Sequence, residues 1–413
     1  MAGHVEYEPA SVKDLLAEMK DTAELLIDLS YSAVLHGSDE IAAEVLALEE
    51  RMDVLQLRAR MSIMLAARNP DEAETLAPVL GIIGAAEKIS DAAGDIAKVV
   101  REDIGVPNAI RTALPEAVET LVRAELDAGS DYTGRTLGDV NMETETGVRV
   151  IAIRREDGDW ILNPDRETTL RGGDVLLLRG PEGGVETVYE TATGTAYEPP
   201  EYAEAEVEDL ERAVDSLVLM KNMSELAVDL AYGSVLFDSE DIAAEVVELE
   251  AEVDALKSRF EAWVLRAAKD MDDPVNLRGL VHLATSTEVI SDAALEISEG
   301  VLRGLDTHVV VQEAVEESDE VIVRVEVAEG SDLAGTTLGE AEVKTETGMR
   351  VIAIRRPESH LGEEKTYTTS VHPSDEWVVQ PGPETKVRAG DVLIAKGTRA
   401  GSDRLADLAG QVE

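Results

Sequence analysis

The sequence predicts an α+β multidomain chain, in which an antiparallel three-helix bundle followed by a small α+β domain is written twice. Three observations predict it. The 413-residue chain echoes itself at an offset of 201. The first half of each copy carries a helical hydrophobic period, and the second half alternates apolar and polar residues as half-buried strands do. A period this long marks a duplicated module rather than a solenoid repeat.

The echo is dense. "TETGVRVIAIRR" at 144–155 returns as "TETGMRVIAIRR" at 345–356, and 18 of the 27 positions from Gly129 to Arg155 match Gly330 to Arg356. Met19-Lys20 falls on Met220-Lys221, and Ile41-Ala42-Ala43-Glu44-Val45 on Ile242-Ala243-Ala244-Glu245-Val246. Past the arginine pair a longer loop in the second copy, "PESHLGEEKTYTTSVHPSDE", moves the offset to 217, so that Trp160 falls on Trp377 and Gly173-Asp174-Val175-Leu176 on Gly390-Asp391-Val392-Leu393. These shifts place helical bundles at 10–106 and 208–306, strand-rich domains at 112–192 and 317–402, and a linker rich in Pro and Glu at 193–207.

Each element follows from its pattern. Val12, Leu15, Leu16, Met19, Ala23, Leu26 and Ala33 mark a first amphipathic helix. Ile41, Val45, Leu48, Met52, Leu55, Ala59, Ser62 and Ala66 follow four-three spacing, as do Ile242, Val246, Leu249, Val253, Leu256, Phe260, Trp263 and Ala267. That spacing predicts a coiled-coil-like seam about four heptads long. Asn69-Pro70 and Asp273-Pro274 read as an N-cap followed by Pro at the first helical position. A third helix follows through Leu76, Leu80, Ile83, Ala86, Ser90 and Ala93. Three long helices with short turns make an antiparallel bundle. "VETLVRAEL", "VIVRVEV", "RVIAIRR" and "DVLLLRG" then predict strands, and "GSDYTGRTLGDV" a turn with a short helix. Within "RVIAIRR" strict alternation puts Ile151 and Ile153 on one face, and Val150, Ala152 and Arg154 on the other.

Composition narrows the function classes. The formal net charge is −49, with 86 acids against 37 bases, and arginine outnumbers lysine 26 to 11. The acids are spread through periodic segments, and Ala and Val are abundant while Phe appears only twice. This pattern suits the cytosol of an extreme halophile, where molar salt shortens the screening length to about 3 Å. No basic stripe exists to release counterions from a nucleic-acid polymer. Cysteine is absent, which excludes disulfides and thiol chemistry. "MAGHVEYEPASVKD" lacks a secretory pattern, and no run approaches the ~18 apolar residues of a membrane span. A cytoplasmic protein, at most peripheral to the membrane through a partner, is the expectation. The six histidines share no triad spacing and none repeats between copies, so no enzyme is expected.

Two stretches resemble known families. "EKISDAAGDIAK" and its echo "EVISDAALEISE" resemble the PhoU family, whose three-helix units carry acid-x-x-x-acid pairs, although Lys88, Ser90, Ala92 and Asp95 depart from its usual residues. "GSD-x-x-G-x-TLG", "VIAIRR", Pro164 and "GDVL", in that order and twice over, resemble the TrkA-C domain, the C-terminal half of the regulator-of-potassium-conductance module. No G-x-G-x-x-G follows a strand, so control by nicotinamide or ATP through a Rossmann domain is not expected.

The resemblances imply candidate sites. TrkA-C domains pair about a two-fold axis and some bind cyclic di-AMP there; carried over, the candidates are Ile151, Ile153, Arg154 and Pro164 with Ile352, Ile354, Arg355 and Pro381. The alternative is that these arginines are strand residues paired with nearby acids. PhoU proteins bind metal clusters through their acid pairs. The candidates here are Glu49, Asp53, Glu87 and Asp91 with Glu250, Asp254, Glu288 and Asp292, for Mg²⁺ or another hard divalent metal. Glu24/Asp28 and Glu225/Asp229 share the same spacing. Chance alone gives roughly 18 such pairs at this acid content, so a solvated acidic face is the alternative. The resemblances imply a cytoplasmic ligand-sensing regulatory subunit of cation transport, most naturally potassium, with an MgtE-like magnesium transporter as a further partner class. Self-association through the TrkA-C domains is expected, without membrane insertion. A PhoU-type metal-binding protein linked to phosphate regulation and a structural adaptor without ligand are the competing readings.

Overall fold

The computed structural model describes residues 11–66, 69–105, 121–162, 164–199, 207–271, 273–305, 321–356, 377–379, 381–397 and 399–411. The long second-copy loop, four of the six histidines (His4, His308, His360 and His372) and part of the linker lie outside them. Helices α1 (Val12–His36), α2 (Asp39–Ala66) and α3 (Pro70–Arg101) form the first bundle. Gly37 ends α1 in the left-handed conformation, φ 56°, which glycine adopts without a Cβ clash.

The seam of α2 is buried from Ile41 to Ser62, but Ala66 is exposed. In the second unit the seam is buried from Ile242 to Phe260 and again at Ala267; between them Val264 is buried, while Trp263 lies against Arg212 and Arg266. A 3.6-residue turn drifts away from a strict 3.5-residue stripe, and four heptads are enough to show it. Leu80, expected in the third helix's buried face, is 42% exposed.

A four-stranded antiparallel sheet follows, in the order β1-β4-β2-β3: β1 (Leu121–Glu125), β2 (Arg149–Arg154), β3 (Trp160–Leu162) and β4 (Val175–Arg179). Short helices α4 (Leu137–Val140) and α5 (Met142–Thr146) precede β2, and α6 (Glu182–Thr193) follows β4. The second unit repeats this with α7 (Glu208–Phe237), α8 (Glu240–Ala267) and α9 (Arg278–Leu302). A 3₁₀ turn, Pro274–Leu277, leads into α9, and the Asp273 carboxylate caps it by accepting from the Val275 N–H at 3.1 Å. The second sheet has the order β5-β8-β6-β7: β5 (Val321–Glu326), β6 (Arg350–Arg355), β7 (Trp377–Val379) and β8 (Val392–Gly397). Helix α10 (Val343–Thr347) precedes β6 and α11 (Arg399–Leu408) follows β8.

One apolar core runs through both bundles, which meet where α3 packs on α9. The inner faces of both sheets belong to that core, through Leu121, Ala152, Val175 and Leu177 in one and Ala353, Val392 and Ile394 in the other. The outer faces make separate small cores, in which Ile153 and Leu176 pack with Val188 of α6, and Ile354 and Leu393 with Leu405 of α11. Each sheet is thus clasped between its bundle and its own helix.

The alternation expected for "RVIAIRR" is broken. Val150 pairs with Leu178 and Ala152 with Leu177, so Ile151 is the extra residue of a β-bulge, and Ile352 is its counterpart between Val351 and Ala353. Ile151 therefore turns with Ala152 toward the helical core, whereas Val150 and Ile153 share the outer face. Ile151 and Ile153 do not share a face, and neither do Ile352 and Ile354.

Candidate functional site

The repeated arginine pair performs two separate tasks. Arg154 Nη2 donates to Glu44 Oε1 of α2 at 2.7 Å, and its Nε donates to the other carboxylate oxygen. Arg123 of β1 adds a third hydrogen bond to Glu44, at 3.2 Å. The second unit repeats the clamp: Arg355 Nη2 meets Glu245 Oε1 at 2.7 Å, and Arg324 Nε reaches the same oxygen at 3.2 Å. Glu44 and Glu245 are 5% and 3% exposed. A carboxylate so buried needs paired charge, and two forked guanidinium groups from two strands supply it. The following arginine closes its own domain. Arg155 bonds Asp174 and donates to the Thr169 carbonyl at 3.0 Å, while Asp174 accepts from the Arg171 N–H at 2.7 Å. Arg356 lies 4.0 Å from Asp391, which accepts from the Arg388 N–H at 2.8 Å. The first arginine of each pair fastens sheet to bundle; the second holds the "GDVL" turn.

Within the chain, Arg154 and Arg355 each reach a helix of their own unit. The remaining ligand candidates are dispersed. Ile153 and Ile354 are in the outer cores, and Pro164 is half-buried just after β3. Pro381 lines a cavity of about 390 Å³ on the second domain with Met349, Arg350 and Pro383.

Beside the first clamp a larger cleft of about 970 Å³ separates α2 from the β2–β3 hairpin. Arg51, Arg58, Arg154, Arg155 and Arg171 line it with Trp160, and Glu18, Glu44, Asp157 and Asp159 bring the negative charge.

A polar knot forms where the units meet. Lys20 pairs with Glu24 at 2.7 Å and Lys221 with Glu225 at 2.5 Å. Each lysine also lies 5.7 Å from the other unit's tyrosine ring, Lys20 over Tyr232 and Lys221 over Tyr31. Arg179 of β4 bonds Asp28, and the counterpart Lys396 of β8 shares a cavity of about 230 Å³ with Asp229. Burial pushes the Glu225 carboxyl up to about 7 against the pull of Lys221, and the Asp229 carboxyl up to about 6 against Lys396.

The two sets of metal candidates differ. Glu250, Asp254 and Asp292 bring three carboxylate oxygens within 4.8 Å of one another. Burial and then mutual repulsion raise the Glu250 and Asp292 carboxyls. An all-oxygen set of this kind fits a hard divalent cation. Glu288 is drawn aside into an ion pair with Lys257. In the first unit Lys98 stands 3.6 Å from Glu49 and 3.0 Å from Asp95, and Glu87 pairs with Arg60 at 3.1 Å. Burial and then Asp91 raise the Glu49 carboxyl against the pull of Lys98, and burial and then Asp53 raise that of Asp91. The position of Lys98 is Glu299 in the second copy, so the ammonium that stands beside Glu49 has no counterpart beside Glu250, and Lys257 approaches the second cluster from the side of Glu288 and Asp292 instead.

Glu44, Glu245, Arg123 and Arg324 were not among the sequence candidates. The signal was present: the glutamate stands in the phrase Ile-Ala-Ala-Glu-Val that recurs unchanged, beside the seam residues Val45 and Val246.

Family models agree with this architecture. The TrkA-C domain family matches residues 121–193 and 322–410, and the PhoU domain family matches 16–100 and 217–301. A protein of Bacillus subtilis (strain 168), YrvC, is 36% identical over 76 residues, 18% of this chain; the chain spans 45% of that relative's length. Among solved structures, PhoU from Pseudomonas aeruginosa aligns over 71% of this chain and 96% of its own, at 12% identity and a TM-score of 0.39. The GsuK RCK domain aligns over 84% and 89% at 13% identity and a TM-score of 0.18, and the GsuK channel over 80% and 66% at 14% and 0.20.

Proposed function

From the premise that this chain belongs to the PhoU and TrkA-C families, carrying two domains of each in tandem, we propose that it is a cytoplasmic regulatory subunit of cation transport, with potassium the favoured cation. The observation that carries the reading is the pair of Arg–Glu clamps that weld each TrkA-C sheet to its bundle. A ligand that favours one packing of sheet on bundle shifts the other domain with it, provided its affinities for the two states differ. In this reading the bundles contact a membrane transporter or channel, and the TrkA-C domains respond to a small anionic ligand such as cyclic di-AMP.

The test is twofold. Tagged protein isolated from membranes of its own host should retain a cation transporter, and deletion of the gene should change potassium uptake. Calorimetry with cyclic di-AMP in molar KCl should give saturable heat; its absence removes that ligand and leaves the regulatory role to the uptake assay.

The cluster Glu250, Asp254 and Asp292 favours a second reading, a PhoU-type metal-binding signalling protein. These residues would hold Mg²⁺ or Mn²⁺, which would neutralise their repulsion and brace α8 against α9. Metal bound after purification without chelator, and lost in Glu250→Gln/Asp292→Asn, is the result this reading requires.

A further inference from the structure

The cleft between α2 and the β2–β3 hairpin of the first unit shares only Arg154 with the residues that the family resemblances offer, and its charge is out of keeping with the chain. Five of the 26 arginines converge on it, against four carboxylates, in a molecule of net charge −49. Two of those carboxylates are committed, Glu44 to Arg154 and Arg123, and Glu18 to Arg51. Among the described residues the exposed Arg171 side chain makes no ion pair.

The duplication supplies an internal control. Arg51 and Arg58 correspond to Glu252 and Arg259, which pair with each other at 2.9 Å. Glu18, the partner of Arg51, corresponds to Leu219. The second unit therefore pairs this helix face within one helix, whereas Arg51 of the first unit reaches across to Glu18 of α1. The first unit replaces the acid of that pair with a second arginine, so both α2 guanidinium groups border the cleft. Trp160 lies opposite Arg154 across the β2–β3 ladder and lines the same space. Forked donors from a helix and a hairpin suit phosphate oxygens, an indole ring suits a planar partner, and about 970 Å³ is ample for a nucleotide-sized molecule.

We propose that this cleft binds a phosphate-bearing small molecule, held by Arg58 and Arg171 with Arg51 and Arg154 beside it. Because Arg154 also holds Glu44, the bound phosphate competes with the clamp for one guanidinium. Occupancy thereby loosens the first sheet on its bundle while leaving the second fastened. The inference rests on the ligand-sensing reading and deepens it by naming a chemical class and a site within one unit.

The experiment is thermal unfolding and calorimetry of the full chain with pyrophosphate, ADP and sulfate, over a range of KCl concentrations. Saturable binding of pyrophosphate or ADP, weakened at least tenfold in Arg171→Gln and Arg58→Gln, is expected. Arg388→Gln, at the second-unit counterpart of Arg171, should bind as wild type does. Tighter binding of ADP than pyrophosphate, lost in Trp160→Leu, identifies a ring-bearing ligand; equal binding identifies the phosphate alone. An equal response to sulfate, no saturation, or the same affinity in all variants overturns the site. Because Arg171 is exposed, its variant folds even if Arg58→Gln does not. Retention of a membrane transporter by Arg171→Gln would separate failure here from failure of the regulatory role.

Discussion

Arg154 and Glu44, 110 residues apart in the chain, join through two hydrogen bonds at a carboxylate that water barely reaches. Removing one partner of such a buried pair exposes the other to an uncompensated desolvation cost. Glu44→Ala, which leaves Arg123 and Arg154 facing each other, is expected to cost about 3–5 kcal/mol. Glu44→Leu with Arg154→Met should recover part of that. Hydrogen exchange of β2 amides separates local detachment of the sheet from global unfolding, which matters in a multidomain chain.

The knot between the bundles makes stability depend on pH. Glu225 and Asp229 have carboxyls raised to about 7 and about 6 in the folded protein. A raised acid binds its proton more tightly when folded, so the stabilisation is fully present below the unfolded value and is lost as pH climbs through the folded one. The thermal midpoint should fall between about pH 4 and about pH 7. In Glu225→Gln/Asp229→Asn that slope should flatten, whatever the absolute stability of the variant; an unchanged slope would place the titration elsewhere.

Lys98 predicts a stoichiometry. If Glu250, Asp254 and Asp292 bind Mn²⁺, paramagnetic resonance should count one ion per chain in wild type. Lys98→Ala frees Glu49 and Asp95 from their ammonium and should raise the count to two. A count unaffected by Glu250→Gln would remove the site.

Two glycines at equivalent positions test how the outer helices dock. A Cβ at Gly184 would run into the Thr146 carbonyl, and one at Gly401 into the Thr347 carbonyl. Backbone cannot yield as a flexible side chain can, so Gly184→Ala should cost about 1–3 kcal/mol. The adjacent Gly183 has open space where its Cβ would stand. Gly183→Ala should be neutral or gain up to about 1 kcal/mol from helix propensity. Denaturation of the pair side by side is the measurement.

Much of the fold was legible. The seam from Ile41 to Ser62 announced a buried helix face because burial selects apolar residues at helical spacing. The duplication doubled every such signal. Three features escaped for physical reasons. The bulge at Ile151 is set by pairing with β4, which local alternation cannot reveal. The burial of Val264 in place of Trp263 arises from accumulated helical drift. The clamps escaped because a buried glutamate looks like any other in so acidic a chain; what tells Glu44 apart is two arginines on strands far along the sequence. The acid pairs were visible as spacing, but only tertiary placement set Lys98 inside one cluster and left the other without an ammonium at that position.

The inner faces of both sheets have a bearing on any attempt at dissection. Leu121, Ala152, Val175 and Leu177 are covered by helices outside their own domain. An excised strand-rich lobe would bare a greasy sheet together with two arginines that had lost their acid, and self-sticking is what such a surface invites. The family borders within each unit are therefore poor places to cut, and a chimera that swapped a lobe alone would inherit a mismatched seat. Exchange of helices and sheet together keeps each sheet on its own seat, but it must also preserve the apolar seam where α3 packs on α9.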